Sequence, residues 1–228
     1  MLILGLDTAS EQGSIALAQD ESPVSEIVFP AALKQGEKLL PMVDAILKFE
    51  DVKLSDLELL AVSMGPGSFT GLRIGIATAK GLARALQIPV VGVPSCDAYA
   101  RAVDFWEGPV WVLLPDRRDW VYYAGYEKHQ QVVPVQAASL EDFLKATEEI
   151  GAGGHPQALF VGPAVERYRE RLVVQRKRSV MASAPLNRPS GLEIAWLGWE
   201  KYRQSRRNEL QELEPFYLAS PVSSLHRG

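Results

Sequence analysis

Cysteine is almost missing from this chain. Cys96 is the one thiol, which excludes an intramolecular disulfide and any zinc site built from several thiolates. Histidine is nearly as scarce: His129, His155 and His226 lie far apart, and no metal is expected on them. Basic residues are not in excess. Lys and Arg number 24 against 28 Asp and Glu, a formal net charge of −4, so long-range attraction to nucleic acid is not implied. No apolar run approaches the roughly 20 residues that span a bilayer. The N-terminus has no basic segment leading into an apolar run with a cleavage site. Together these absences point to a soluble cytoplasmic protein.

What is present is an ordinary globular composition, 47% apolar over 228 residues, enough for one large or two small domains. Leu2–Leu6 is an apolar strand that ends at Asp7, and Ser14–Gln19 alternates. Val24–Phe29 is a third short strand. A helix over roughly 38–50 puts Leu39, Leu40, Val43, Ile46 and Leu47 on one face, with Pro41 near its first turn or at a kink. Leu59–Met64 is a strand, Gly71–Leu86 a helix and Val90–Val93 a strand, and Ser95 caps a helix to about Val103. The order is βββαβαβα.

Beyond a boundary at Asp104–Pro109 the same order recurs more faintly. The strands are Val110–Leu114, Val121–Glu127 and Gln131–Val135. A helix at Leu140–Ile150 follows, capped by Ser139, then a strand at Leu159–Val161 and a helix at Ala164–Leu172. After a run at Val173–Val180 and a proline-bearing loop comes a last helix, Leu192–Arg206. The reading is a duplicated α/β fold. Residues 1–105 form one mixed sheet flanked by helices, and residues 106–228 form a second, degenerate copy with a tail.

The most informative stretch is Gly65-Pro66-Gly67-Ser68-Phe69-Thr70-Gly71-Leu72-Arg73. It sets a tight turn between an apolar strand and a helix rich in small residues. Ser68 or Thr70 can cap that helix and leave backbone N–H groups at its start for an anion; the turn can equally be purely structural. Asp7 at a strand end can handle metal or phosphate, or simply accept from Ser10 or a loop amide. Arg73 can meet a phosphate, a partner carboxylate or solvent. Gly71, Gly75, Ala79 and Ala83 recur every four residues on one row of the helix. Such a row admits another helix closely, from a partner or from the chain's own fold. The apolar face of Leu39–Leu47 carries the same two readings. Basic residues cluster at Arg167, Arg169, Arg171, Arg176, Lys177 and Arg178, and again at Arg203, Arg206 and Arg207. They can contact nucleic-acid phosphates or form solvated faces.

A duplicated unit of this order resembles the ribonuclease-H-like domains of the actin, sugar kinase and Hsp70 superfamily. Its active members bind ATP between the two halves, with an Asp at the end of the first strand, the place Asp7 holds here. A narrower resemblance rests on five blocks. They are Leu4-Gly5-Leu6-Asp7-Thr8, Glu37-Lys38-Leu39-Leu40-Pro41, the Gly65–Arg73 stretch, Val91-Gly92-Val93-Pro94-Ser95 and Glu214-Pro215-Phe216-Tyr217-Leu218. In order and separation they look like the TsaB (YeaZ) family, as does Asp116-Arg117-Arg118.

That resemblance implies a non-catalytic partner of TsaD, the subunit that transfers threonylcarbamoyl to adenosine 37 of tRNAs reading ANN codons. A TsaE-type ATPase and tRNA are partners through the complex, and a homodimer is a further association. It implies no catalytic residue. The partner interface is expected on Leu39, Leu40, Val43, Leu47, Gly71, Leu72, Gly75 and Ala79, and nucleotide or anion contact at Asp7, Ser68, Thr70 and Arg73. TsaD-type proteins carry His-x-x-x-His where this chain has Ser95 and Tyr99, so no metal is expected. Pro115-Asp116-Arg117-Arg118 and Gly162-Pro163-Ala164 replace glycine-rich phosphate turns. No cofactor is therefore expected on the chain alone, with ATP or ADP only at the interface of the full complex. The competing reading is an ATP-dependent phosphotransferase of the sugar or acetate kinase class, and a metallopeptidase ranks below it.

Overall fold

Six consecutive residues, Leu2–Asp7, are buried on both faces and form β1, the centre of a five-stranded sheet. A strand covered on both sides reads as a continuous apolar run rather than an alternation, which is the pattern of this segment. β2 (Gln12–Gln19) pairs antiparallel with β1, and β3 (Ser22–Pro30) pairs antiparallel with β2. β4 (Leu59–Gly65) joins β1 in parallel and β5 (Val90–Pro94) joins β4 in parallel, giving the order β3-β2-β1-β4-β5. The computed structural model describes residues 1–30, 35–117, 119–147, 157–175 and 179–218.

Two helices cover one face of this sheet. α1 (Gln35–Phe49) buries Leu39, Val43, Ile46 and Leu47; α2 (Phe69–Leu86) buries Ile76, Ala79 and Ala83 in the same core. α1 begins three residues before the expected start, so Pro41 lies within the helix. Ser68 is the cap of α2: its Oγ accepts from the Gly71 N–H at 3.2 Å, while Thr70 lies inside the first turn. α3 (Ser95–Arg101) starts from Pro94, not Ser95 as expected. Ser95 is its first helical residue, and the Ser95 hydroxyl is buried without a hydrogen-bond partner among the described residues.

Residues 102–109 lead to a second sheet with the same connectivity. β6 (Val110–Pro115) is central, with β7 (Trp120–Glu127) and β8 (Gln130–Ser139) on one side. β9 (Leu159–Val161) and β10 (Val180–Met181) lie on the other. This copy is reduced, since its last two strands hold three and two residues. α4 (Leu140–Ala146) follows β8, capped by Ser139. The helix expected at 164–172 is two short ones, α5 (Pro163–Arg167) and α6 (Arg169–Gln175).

The last helix, α7 (Gly191–Ser205), departs from the expected domain assignment. It crosses back and packs on β1, β2, β4 and β5, on the face opposite α1 and α2. The approach is backbone-close. A Cβ on Gly191 would lie 2.8 Å from the Ala16 nitrogen, and one on Gly198 would strike Ala61. The tail follows the same sheet. Glu209 accepts from the Gly92 N–H at 2.9 Å and pairs with Lys201 at 2.8 Å, and Leu213 is buried beside α1 and α2. Residues 191–213 thus complete the first unit rather than the second.

Candidate functional site

The loops after β1 and β4 meet at the end of the first sheet. Gly65 has φ 109, which glycine tolerates, and the Gly65–Pro66 peptide is cis. The Ser68 N–H donates to the Ala9 carbonyl at 2.7 Å, and a Cβ on Gly67 would run into that same carbonyl. The Asp7 carboxylate is 1% exposed and accepts from the Ala9 N–H at 3.0 Å. Burial pushes its pKa up to about 6, against the pull of the Ala9 amide and the Ser63 hydroxyl. Asp7 and Ser68 are therefore joined through Ala9, with the Asp7 carboxylate turned into the interior.

Arg73 lies apart from them, on the exposed side of α2. Its guanidinium sits 3.9 Å over the Phe69 ring, and its Nε donates to the Tyr217 hydroxyl at 3.1 Å. Phe69 and Tyr217 are themselves in ring contact at 5.2 Å. The strap that brings Tyr217 here is anchored by the Phe216 N–H, which donates to the Met64 carbonyl at 2.7 Å. A Cβ on Gly65 would come within 2.9 Å of the Phe216 carbonyl, so Gly65 makes room for the strap. The C-terminal block and the glycine turn therefore form one structure. Their separation of some 150 positions hid this from sequence reading; only the aromatic pair in the last block hinted at it.

The residues expected at a partner interface divide sharply. Leu39, Val43, Leu47, Gly71, Leu72, Gly75 and Ala79 are all buried within the first unit. A Cβ on Gly75 would collide with Thr8, so the small-residue row admits the loop that follows β1 of the chain's own sheet. Leu40 alone among the eight is exposed, at 51%. The outward face of the helix pair carries other groups. On α1 these include Phe49, 81% exposed, and on α2 the row Ala77, Gly81 and Ala85. A Cβ on Gly81 would meet nothing within 4 Å. α2 thus has small residues on two rows, and only the fold tells which row faces out.

The second unit repeats the acidic strand end. Asp116 follows β6 as Asp7 ends β1, and its Oδ1 accepts from the Tyr122 hydroxyl at 3.1 Å. Burial pushes the Tyr122 phenol up to about 12, with the Asp116 charge adding to it. At the other strand–helix turn the Gly162 N–H donates to Asn187 Oδ1 at 2.8 Å, and Pro163 has no N–H. Neither residue thus offers a free N–H at this turn. No group of three or more His, Cys, Asp or Glu is placed to hold a metal ion among the described residues. No helix among them is long and apolar enough to cross a membrane. Of the basic run, Arg169 pairs with Glu166 and Arg171 with Asp119, while residues 176–178 lie outside the described residues.

Comparison with known proteins places this geometry. The tRNA threonylcarbamoyladenosine biosynthesis protein TsaB of Bacillus subtilis is 30% identical over 223 residues, 96% of this chain and 94% of that protein. The chain belongs to the TsaB family. A family model for TsaD, described as tRNA N6-adenosine threonylcarbamoyltransferase, also matches residues 29–196 of this TsaB-family chain. YeaZ from Pseudomonas aeruginosa superposes with a TM-score of 0.75 at 25% identity, covering 95% of this chain and 99% of that one. An inorganic polyphosphate/ATP-glucomannokinase from Arthrobacter shares the fold at a TM-score of 0.53 and 13% identity, over 89% and 99% of the two chains. The duplicated sheets are therefore those of the actin-like and sugar kinase fold, here in a TsaB-family protein.

Proposed function

We propose that this chain is a non-catalytic subunit that pairs with a TsaD-type transferase. It supports formation of threonylcarbamoyladenosine at position 37 of ANN-decoding tRNAs. A TsaE-type ATPase and the tRNA join through the complex. The observation that carries the reading is the outward face of α1 and α2 in a TsaB-family protein. On it Leu40 of α1 and the row Ala77, Gly81 and Ala85 of α2 are exposed, and the open space at Gly81 leaves room for a closely approaching helix. Leu39, Val43, Leu47, Gly71, Leu72, Gly75 and Ala79 act beneath this face by fixing where the two helices lie. Asp7, Ser68 and Thr70 shape the turn that starts α2, and Arg73 with Phe69 and Tyr217 forms the rim. Any ATP or ADP belongs to the assembled interface rather than to this chain's own cleft. A homodimer of the free chain would use the same face and compete with the transferase.

The test is reconstitution with and without the chain. TsaD, TsaE, the threonylcarbamoyl-adenylate synthase, ATP, threonine, bicarbonate and an ANN-decoding tRNA are combined, and modified adenosine is measured by mass spectrometry of digested tRNA. Product should depend on the chain. Gly81→Leu and Leu40→Asp, both at exposed positions, should weaken pairing with TsaD by about tenfold or more while circular dichroism stays unchanged. Full product without the chain, using partners from the same organism, rejects the reading. Undiminished pairing in both variants moves the interface elsewhere.

A further inference from the structure

On the face of the first sheet opposite α1 and α2, a cavity of about 560 Å³ opens where the two units join. α3, the linker to β6, the β7–β8 hairpin and α7 enclose it. Its size is that of a small-molecule site. Its two walls carry opposite charge. On the α3 and α7 side stand Asp97, Asp104 and Glu200, with Glu193 next to them. Arg101 serves this wall, bonded to Glu200 at 2.8 Å and 3.3 Å from Glu193, and the Lys201 charge also acts on Asp97. The wall is left with excess negative charge. Burial pushes Glu193 up to about 7, and the charges of Asp104 and Glu200 add to the push while Arg101 opposes it.

The facing wall is the hairpin tip. Lys128 and His129 form its two-residue turn, with φ of 48 and 64. Neither makes a hydrogen bond or ion pair among the described residues. Between the walls the lining is apolar, with Val103, Val110 and Leu197 beside the rings of Trp106 and Tyr126. Tyr126 donates to Asp97 at 2.6 Å and Arg101 to Glu200 at 2.8 Å, each through one carboxylate oxygen, while the Asp104 side chain has no such bond among the described residues.

An anion alone would meet the acidic wall, and a cation alone would meet Lys128. A ligand with both charges and an apolar body satisfies all three surfaces. We infer that this cavity binds a free α-amino acid with an apolar side chain. Its ammonium lies toward Asp104 and Glu200, its carboxylate toward Lys128 and His129, and its side chain against Trp106 and Leu197. The ligand ties the second unit's hairpin to α3 and α7 of the first. This inference stands apart from the subunit reading and is tested on the isolated chain.

Calorimetric titration with L-phenylalanine and L-leucine up to ~10 mM should show saturable binding. 2-Phenylethylamine and 3-phenylpropionate, each lacking one charge, should bind about tenfold more weakly or worse. Asp104→Asn and Lys128→Glu, both at exposed positions, should each weaken L-phenylalanine by about tenfold with unchanged circular dichroism. Three results would each overturn the inference: no binding of either amino acid, unchanged affinity in both variants, or 2-phenylethylamine binding as tightly as phenylalanine.

Discussion

Asp7 holds a charge where the fold gives it little solvation. In the unfolded chain its carboxyl ionises near 3.8; in the folded chain burial raises this to about 6. The folded state therefore holds the proton more tightly. Stability on this account is greatest in acid, falls as pH rises from about 4 to about 6, and stays reduced above that. Asp7→Asn removes the penalty and keeps an oxygen for the Ala9 N–H. The expected result is a higher melting temperature at pH 8, by several degrees for roughly 1–3 kcal/mol. The gain should vanish below pH 4, which melting curves across pH would measure. A lower melting temperature at pH 8 would mean that the carboxylate is needed as an acceptor. The sequence shows Asp7 at a strand end, and the loop amide it accepts from was among the readings open there. Its burial was not legible, because Ser63 arrives from β4 and Tyr99, whose phenol is pushed up by burial and then by the Asp7 charge, arrives from α3.

Helix α2 shows how one element can carry the same residue type for opposite reasons. Gly75 is required by contact, since a methyl there would collide with Thr8 of the neighbouring strand-end loop. Gly81 has open space around it and sits in a helix interior, where glycine costs conformational entropy. Gly75→Ala should destabilise the isolated chain by about 1–3 kcal/mol, while Gly81→Ala should stabilise it by about 0.5–1 kcal/mol. Urea unfolding of the two variants checks both signs, and two changes of the same sign would show that α2 is seated differently. The four-residue spacing of both rows is legible in sequence, as are the cap at Ser68 and the apolar face of α1. Which row turns inward is not, because spacing fixes a helix's own faces and says nothing of the sheet beneath. For the same reason Leu39→Asp and Gly75→Leu would probe folding, whereas Leu40→Asp and Gly81→Leu probe the exposed face.

At the scale of the whole molecule, the duplication was legible and the return of the chain was not. Both sheets place their first strand at the centre, with the hairpin strands on one side and the parallel strands on the other. That order follows from the run of strands and helices along each half. The destination of α7 does not. An amphipathic helix must bury a face, but its pattern names no partner, and sequence order alone placed it with the second unit. The small residues were a signal: Gly191, Ala195 and Gly198 on the helix match Gly5, Ala16 and Ala61 on the strands. Because α7 covers Ile3, Leu59 and Val91, and Leu213 fills the core on the other face, the first unit depends on residues that follow the second in the chain. A chain ending at residue 190 should therefore expose the α7 face of the first sheet and lose its single sharp urea transition. It should also bind a hydrophobic dye that the full chain excludes. If the shortened chain unfolds in one transition with an undiminished m-value, the first sheet is stable without α7, and the small-residue contacts hold the two units together rather than completing one of them.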